Sequence, residues 1–415
     1  MWTFGGVFKS VEINASEIKN ILDDKIMIDG SNIAGCSAIK NADAFLSPDI
    51  NSFRLMPYFD TENGRVAMFM CSILKPDKKP FEGCVRTILR KKLEKMKMLG
   101  YSKMNVGFEP EFFILKNKPI SNSDLNFLDE GCYHSNEFED LGAEIRREII
   151  CKLGEMGVHC LTSHHECGPS QYEITFKYSD AITSCDNLMI TRFMIKTIAK
   201  KYGLYATFMP KIDSSVAGNG LHTNISLEKD GKNDFSSDLG LSLTAKRFVT
   251  GILNHAKEIC LLTNPSINSF KRLVRGFEAP VNICWSDANR SAMIRIPKTT
   301  GSATRIEVRN VDSTSNPYLA VYALLSAGLD GIVKNMPIIK QTDLNVFELD
   351  ENELKNLKLD YLPKNLMEAV LCFKNSKFID SLFCSEVRSL ILRKAEKEIE
   401  NYNNYVNSFD FENYF

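Results

Sequence analysis

The alternation of apolar and polar positions divides the chain into two kinds of segment. Apolar residues at helical spacing predict amphipathic helices over residues 85–99, 141–156, 186–202, 243–262, 317–334, 365–375 and 385–405. Short stretches with a period of two predict strands over 105–115, 171–178, 222–227 and 304–311. Three further strand-like segments, 7–13, 25–28 and 65–72, precede them, and a turn-rich stretch at 75–83 separates the two sets. This order predicts a small N-terminal domain, residues 1–75, and a larger α+β domain, residues 80–415, with largely antiparallel strands. Clean alternation on those strands implies a sheet with one face on helices and the other on a solvent cavity.

Residues two apart on a strand share a face. Glu109 and Glu111 therefore lie together, with Phe108, Pro110 and Phe112 opposite. Glu173 lies opposite Tyr172, Ile174 and Phe176. His222, Asn224 and Ser226 form one polar row, and Arg305, Glu307 and Arg309 form another. The run His164-His165-Glu166 brings one more carboxylate near the same sheet. A single polar row is ordinarily the solvated face of an antiparallel sheet. Here several strands each set acidic or imidazole groups opposite bulky apolar ones. If these strands are neighbours, Glu109, Glu111, Glu166, Glu173, Glu307 and His222 share one face. Five carboxylates do not stay charged side by side without cations among them. An oxygen-rich set with one imidazole suits Mg²⁺ or Mn²⁺ better than Zn²⁺. Such a set has ligands for two ions, the arrangement that clamps a transferring phosphoryl group.

A second stretch, 264–297, is punctuated by Gly and Pro and rich in Arg. Arg272, Arg290 and Arg295, with Arg305 and Arg309 beyond them, are suited to bidentate contacts with carboxylate or phosphate. Any one of them alone reads equally well as a surface ion pair. Neither G-x-x-x-x-G-K-[ST] nor G-x-G-x-x-G occurs, so a nucleotide site here rests on metals and Arg without a P-loop.

Composition sets limits on this picture. The 415 residues exceed the roughly 250–300 at which single cores stop growing. With 51 Lys and Arg against 52 Asp and Glu the formal charge is −1, which excludes a polycation acting mainly on nucleic acid. No apolar run approaches the roughly 18 residues of a membrane helix, and no basic segment followed by an apolar one opens the chain, so neither a membrane span nor a signal peptide is expected. The 12 Cys include no Cys-x-x-Cys pair, which argues against a zinc ribbon and points to free thiols in a reducing, cytoplasmic setting.

In order along the chain stand Asp29-Gly-Ser31, Gly107-Phe-Glu-Pro-Glu-Phe112, His164-His-Glu166, Gln171-Tyr-Glu173, Gly218-Asn-Gly-Leu-His222, Asn264-Pro265, Asn268-Ser-Phe-Lys-Arg-Leu273, Asn289-Arg-Ser291, Arg305-Ile-Glu-Val-Arg309 and Asn316-Pro-Tyr318. Each is weak alone. In this order they resemble the glutamine synthetase family, specifically its short bacterial type I enzymes, over nearly the whole chain. The resemblance implies a β-grasp N-terminal domain and a catalytic domain on a curved antiparallel sheet. It implies ATP-dependent ligation of ammonia to L-glutamate through γ-glutamyl phosphate, giving glutamine, ADP and phosphate. It also implies active sites between adjacent subunits of a ring, and a homo-dodecamer of two stacked hexamers.

Position by position, Glu111, Glu166 and Glu173 match ligands of one divalent ion, and Glu109, His222 and Glu307 those of the other. Arg272 and Arg309 match residues that hold the glutamate carboxylates, with Gly218 in the same substrate loop. Arg290 and Arg295 match phosphate contacts, Arg290 stabilising the phosphoryl group in transfer. Asn224, Ser226 and Arg305 match the nucleotide site, and Tyr178 faces the adenine. Glu278 matches a flap glutamate that shields the acyl phosphate from water. Asp29 matches an Asp, donated by the neighbouring subunit, that helps deprotonate ammonium.

Some positions depart from the family pattern. Ala217 stands where the substrate loop carries an Asn that binds the glutamate backbone. Asn32 follows Asp29-Gly-Ser31 in place of Ser, and Arg275 replaces a Pro. Ala38 stands where the feedback-inhibited Gram-positive class has an Arg. Asp360, followed by Tyr361, occupies the place of an adenylylated Tyr, so no adenylylation control is expected. Set against the family, the chain begins inside the first β-grasp strands, at Met1-Trp-Thr-Phe-Gly-Gly6; either the start is placed late or the preceding helix and strand are lacking, and the second case would leave a sheet edge uncovered. Ala217 supports an alternative, a γ-glutamyl ligase using an amine or polyamine acceptor, whereas Asp29 and Glu278 favour ammonia. A third reading, a non-catalytic ring protein that senses nitrogen metabolites, is opposed by the six metal-ligand positions.

Overall fold

Residues 8–33, 36, 42–238 and 240–414 are described by the computed structural model. In the N-terminal part, strands β1 (Ile26–Asp29), β2 (Asp43–Pro48) and β3 (Cys71–Leu74) form an antiparallel sheet in that order. Ile33, Ala44, Ile73, Phe81 and Cys84 form its small core. β2, with the sequence Asp-Ala-Phe-Leu-Ser-Pro, carries no clean alternation and is not among the expected strands. The strand expected at 7–13 is absent from its described part. Past a single bridge at Phe8, residues 9–14 are irregular and lead to a short helix, Ile18–Leu22. Val7, the first six residues and Ala38 lie outside the described residues. The strand expected at 65–72 is divided between Ala67–Met68, paired with Arg54–Leu55, and the start of β3.

The larger part begins with helix α1 (Val85–Met98) and the long strand β4 (Lys103–Leu115). α2 (Ala143–Glu155), β5 (Cys160–His165), β6 (Gln171–Phe176), α3 (Ala181–Lys201) and β7 (Leu221–Lys229) follow. Next come α4 (Leu243–Asn254), α5 (Ala256–Thr263) and α6 (Ile267–Arg272). Three short strands, β8 (Trp285–Asp287), β9 (Ile294–Ile296) and β10 (Ile306–Val308), precede α7 (Pro317–Val333), α8 (Leu366–Lys374) and α9 (Ser385–Asn403). The helix expected over 243–262 breaks at His255. That backbone leaves the helix while the ring stacks on Phe378, 3.7 Å between centroids, and its Nε2 lies 2.9 Å from Asp330.

The main sheet runs β8-β9-β10-β7-β4-β6-β5. Its pairs are antiparallel apart from β8–β9, which is parallel, so the sheet is mixed rather than wholly antiparallel. The segment expected as a strand over 304–311 pairs only at Ile306–Val308. The apolar face, with Phe108, Phe112, Tyr172, Ile174, Ile225 and Val308, joins Leu188 of α3, Phe248 of α4 and Leu324 of α7 in one core. α4 and α7 touch backbone to backbone: a Cβ on Gly251 would stand 2.1 Å from the Ala327 carbonyl oxygen, and one on Gly331 would stand 2.2 Å from that of Arg247. α7 starts at Asn316, whose Oδ1 accepts from the amides of Tyr318 and Leu319, with Pro317 in the first turn where its missing N–H costs nothing.

A buried charge cluster ties the two parts together. Arg86 of α1 donates to Asp186 of α3 (2.8 Å) and to Asp49, just past β2 (2.7 Å). The Tyr318 hydroxyl donates to the same Asp186 at 2.5 Å. Removing one partner of such a buried pair strands the other charge.

Candidate active site

Strand register builds the polar face. On β4 and β7, Glu109 stands opposite His222, and Gly107 opposite Asn224. On β4 and β6, Glu111 stands opposite Glu173, and on β5 His164 faces Glu173 from the other side. On β10, Glu307 stands opposite both Asn224 and Arg295 of β9. The six expected ligands therefore meet. His222 Nδ1 lies 3.4 Å from Glu109 and 3.8 Å from Glu307, while its Nε2 lies 3.6 Å from Glu111. Three groups of potential ligand atoms lie within 4.8 Å of one another: Glu109–His222–Glu307, Glu111–Glu173–His222 and His164–Glu166–Glu173.

The electrostatics separate these carboxylates. Burial, followed by the charges of Glu109, Glu111, Glu166 and Glu307, drives the Glu173 carboxyl well above the usual range. Burial and Glu166 likewise raise Glu111, against the pull of His222 and Arg272. Burial opposes ionisation of Glu109 too, yet His222 and the Asn224 amide, donating at 2.9 Å, hold it low. Glu307, also buried, is held at about 2 by His222, Arg309 and Arg295. Arg295 donates to one of its oxygens at 2.5 Å and Arg309 to the other at 2.6 Å. Glu111 and Glu173 are thus carboxylates short of positive charge. This oxygen-rich set with an imidazole fits hard divalent cations, which would supply the missing charge.

A cavity of about 320 Å³ opens beside the cluster, lined by Glu111, Glu166, Ala217, Gly218, Arg272, Glu278 and Arg309 among others. The Arg272 guanidinium is oriented by the carbonyls of Asn310, Val311 and Arg309 at 3.0–3.3 Å. Gly218 and Gly220 are required by close approach. A Cβ on Gly218 would stand 2.4 Å from the Pro210 oxygen, and one on Gly220 would stand 2.7 Å from Arg272 Nη2 and 3.0 Å from His222 Nε2. The Gly220 amide donates to Glu111 at 2.7 Å. Arg290 is exposed at the rim. Burial draws its pKa down, but Tyr133, Glu278 and Glu307 outweigh this and raise it, placing the guanidinium among those three groups. Glu278 sits in the left-handed region, with φ of 56°, and its carbonyl accepts from Arg309 at 3.5 Å.

The residues expected to line a nucleotide gather at the other end of the row. Arg305 donates to Asn224 Oδ1 at 2.9 Å, and Ser226 lies two residues further along β7. Tyr178 is half exposed and sits over Gly107 next to Asn224. Asp29 is the expected residue that lies apart from this cluster. It is exposed at the end of β1, and its hydrogen bonds go to Ser31 and Asn32.

Two residues outside the expected set belong to the site's architecture. His164 Nε2 is 2.9 Å from Glu166, and the period-two rule already places positions 164 and 166 on one side. Asp129 supports the site from behind. It bonds His165 (2.9 Å), the Tyr172 hydroxyl (2.5 Å) and the Ser170 amide (2.9 Å), and nothing in the local sequence marks this role.

The arrangement, carboxylates and an imidazole beside a cavity lined by Arg272 and Arg309, suits the class of enzymes that hold an anionic substrate on divalent cations. The sequence model of the glutamine synthetase catalytic domain matches residues 82–414, and that of the glutamine synthetase β-grasp domain matches residues 3–76. A glutamine synthetase of Staphylococcus aureus (strain MW2) is 38% identical over 412 residues, 99% of this chain and 92% of the relative. One of Staphylococcus epidermidis (strain ATCC 12228) matches to the same extent, 38% over 412 residues. Among solved structures, a Plasmodium falciparum glutamine synthetase superposes with a TM-score of 0.88 at 27% identity, covering 100% of this chain and 94% of that one. A complex of GmaS with ADP gives 0.88 at 26%, covering 99% and 94%. The chain belongs to the glutamine synthetase family. It is a short bacterial-type member and a ligase that makes glutamine with ATP, and the family's use of ATP and divalent metal extends to it. No helix among the described residues is long and apolar enough to cross a membrane.

Proposed function

We propose the following division of labour for the ligation of ammonia to glutamate. Glu111, Glu166 and Glu173 hold one divalent ion, and Glu109, His222 and Glu307 hold a second, each Mg²⁺ or Mn²⁺. When bound, the ions neutralise the oxygens of the phosphoryl group in transfer. Arg272 and Arg309 bind the glutamate carboxylates against the Gly218 loop. Arg290 and Arg295 bind the phosphate chain, and Arg290 stabilises the phosphoryl group as it moves to the γ-carboxylate. Asn224, Ser226, Arg305 and Tyr178 hold the nucleotide; that the similar GmaS structure is a complex with ADP supports a nucleotide as ligand. Glu278 covers the acyl phosphate and excludes water. Asp29 of a neighbouring subunit, with Glu278, binds ammonium and draws off its proton, freeing the amine to attack. This sharing makes the working unit a ring, two stacked hexamers in the dodecamer, acting in the cytoplasm, with the β-grasp unit at 1–75 and the catalytic unit at 80–415.

The single observation that carries this reading is the meeting of the six expected metal ligands in one cluster, beside a cavity that Glu111, Glu166 and His222 line together with Arg272 and Arg309. Ala217, which lines that cavity, is the feature that favours an amine acceptor instead. Phosphate release with ATP, Mg²⁺ and glutamate, with ammonia or a polyamine as acceptor, separates the readings. Turnover with ammonia is expected. Turnover only with the polyamine would transfer the proposal to a γ-glutamyl ligase, and no turnover with either would sink it.

A further inference from the structure

Lys211 is a buried lysine, 5% exposed, on the segment leading into the substrate loop; Asp213 is the carboxylate that acts on its charge, short of direct contact. Its backbone is fixed on both sides by Asn268 of α6: the Lys211 amide donates to Asn268 Oδ1 at 2.8 Å, and Asn268 Nδ2 donates to the Lys211 carbonyl at 2.9 Å. From that fixed base the side chain reaches two separate segments. Nζ donates to the Val216 carbonyl at 2.5 Å, one residue before Ala217 and two before Gly218. The same Nζ lies 3.5 Å from the centre of the Phe277 ring, next to Glu278.

Each segment needs such a hold. The Phe277 segment is held in an unusual conformation, with φ of 95° at Gly276 and 56° at Glu278, which costs energy at a non-glycine residue. The substrate loop is closed behind Lys211 by the Asn219 amide on the Pro210 carbonyl at 2.8 Å and by Gln171 on the Gly218 carbonyl at 3.1 Å. Among the described residues, the hydrogen bonds of its forward part, 213–217, include none from the sheet; Val216 packs on the cluster that holds Phe113 and Leu115, and the Lys211 ammonium adds the polar tie. An ammonium over an aromatic face is strongest when desolvated, as here.

We propose that Lys211 is a positioning residue that locks the substrate loop, 213–218, to the flap, 275–279, so that seating of the glutamate backbone and closure over its γ-carboxyl occur together. This deepens the proposed function, because it assigns a device to the same site. A lysine that merely fills the core would affect stability and leave the two segments independent.

The test is hydrogen exchange on the folded, assembled protein, followed by product stoichiometry. Phe277→Leu alters only the half-buried flap residue, so it keeps the fold if Lys211→Met does not. Both variants are expected to speed exchange of the amides at 213–218 by about tenfold, the flap substitution acting on the loop across the ammonium. Lys211→Arg, which keeps charge and cation–π contact, is expected to restore protection. In turnover, Phe277→Leu and Lys211→Met should raise KM for glutamate more than they lower kcat, and should release phosphate in excess of glutamine. Unchanged exchange at 213–218 in Phe277→Leu would overturn the lock. Coupled exchange in a protein that makes no glutamine would leave the lock standing and remove the proposed reaction instead.

Discussion

Glu111 and Glu173 face each other across β4 and β6 with their ionisation held back by burial and by neighbouring acids. On the proposed metal assignment, cations relieve their charge repulsion. Glu111→Gln should therefore lower glutamine formation by about a hundredfold or more, since one ligand and one charge are lost. The metal-free protein should melt no lower than the parent, since a buried like charge has gone. Thermal unfolding and kcat measured side by side check both halves. Asp129 gives a pH prediction of opposite character. Burial raises its pKa, but bonds from His165, Tyr172 and Ser170 win and set it at about 2, below the ordinary 3.8. A lowered carboxylate stabilises fully above its unfolded value and loses that contribution as pH falls through the folded one. The stability gap between the parent and Asp129→Asn, about 2 kcal/mol near neutral pH by this shift, should hold down to the 3.8 of a free Asp and close as pH falls towards about 2. Urea unfolding across that range measures it. A gap that persists at the acid end would show that Asp129 acts through shape rather than charge.

Between elements, the tightest constraint is the α4–α7 crossing, where Gly251 and Gly331 let two backbones meet. Gly251→Ala places a methyl against the Ala327 carbonyl, and the helices must separate to admit it. Helix propensity favours the substitution by about 1 kcal/mol, but overpacking of 1–3 kcal/mol is expected to dominate. The urea midpoint should fall, and an unchanged or raised midpoint would mean that the crossing relaxes freely. These glycines also show what the sequence withholds. Period-two alternation makes the faces of β4, β6 and β7 legible, because bulky apolar residues such as Phe108, Phe112 and Tyr172 mark the core side unambiguously. The break at His255 leaves no trace, because the apolar spacing continues through it and no Gly or Pro stands there. It exists because Phe378 and Asp330, far along the chain, hold the ring. β2 is hidden for a related reason: Asp43, Ser47 and Pro48 dilute its pattern, and pairing with β1 and β3 makes it a strand. His164 was within reach, since it shares a side with Glu166, but an imidazole among carboxylates draws less notice than the carboxylates themselves.

For the whole molecule, the position of Asp29 carries the argument. It is exposed on the N-terminal sheet, and among the described residues its hydrogen bonds go to Ser31 and Asn32, away from the carboxylate cluster of the same chain. The shared-site proposal makes two quantitative demands. A solution mass should be twelve times the 46.9 kDa chain, and a monomer mass in the active fraction would defeat it. Asp29→Ala and Glu307→Ala should each be inactive, yet rings reassembled from an equal mixture should recover about a quarter of parental activity, because that share of interfaces pairs two intact halves. No recovery after verified mixing would place Asp29 outside the site. Arg86 matters here as well, since by bridging Asp49 and Asp186 it fixes how the sheet that bears Asp29 is held on its own core. The strand order of the main sheet has a further consequence, for synthesis. Its central strands come from residues 103–115, 171–176, 221–229 and 306–308, so a nascent chain leaving the ribosome presents Glu109, Glu111 and Glu173 long before Arg295 and Arg309 emerge to balance them. Non-local pairings of this span close slowly. Until the last strand docks, the acidic face is a half-built basin of negative charge, and free divalent cations in the surrounding fluid would favour its completion, acting as a folding aid before they serve any reaction.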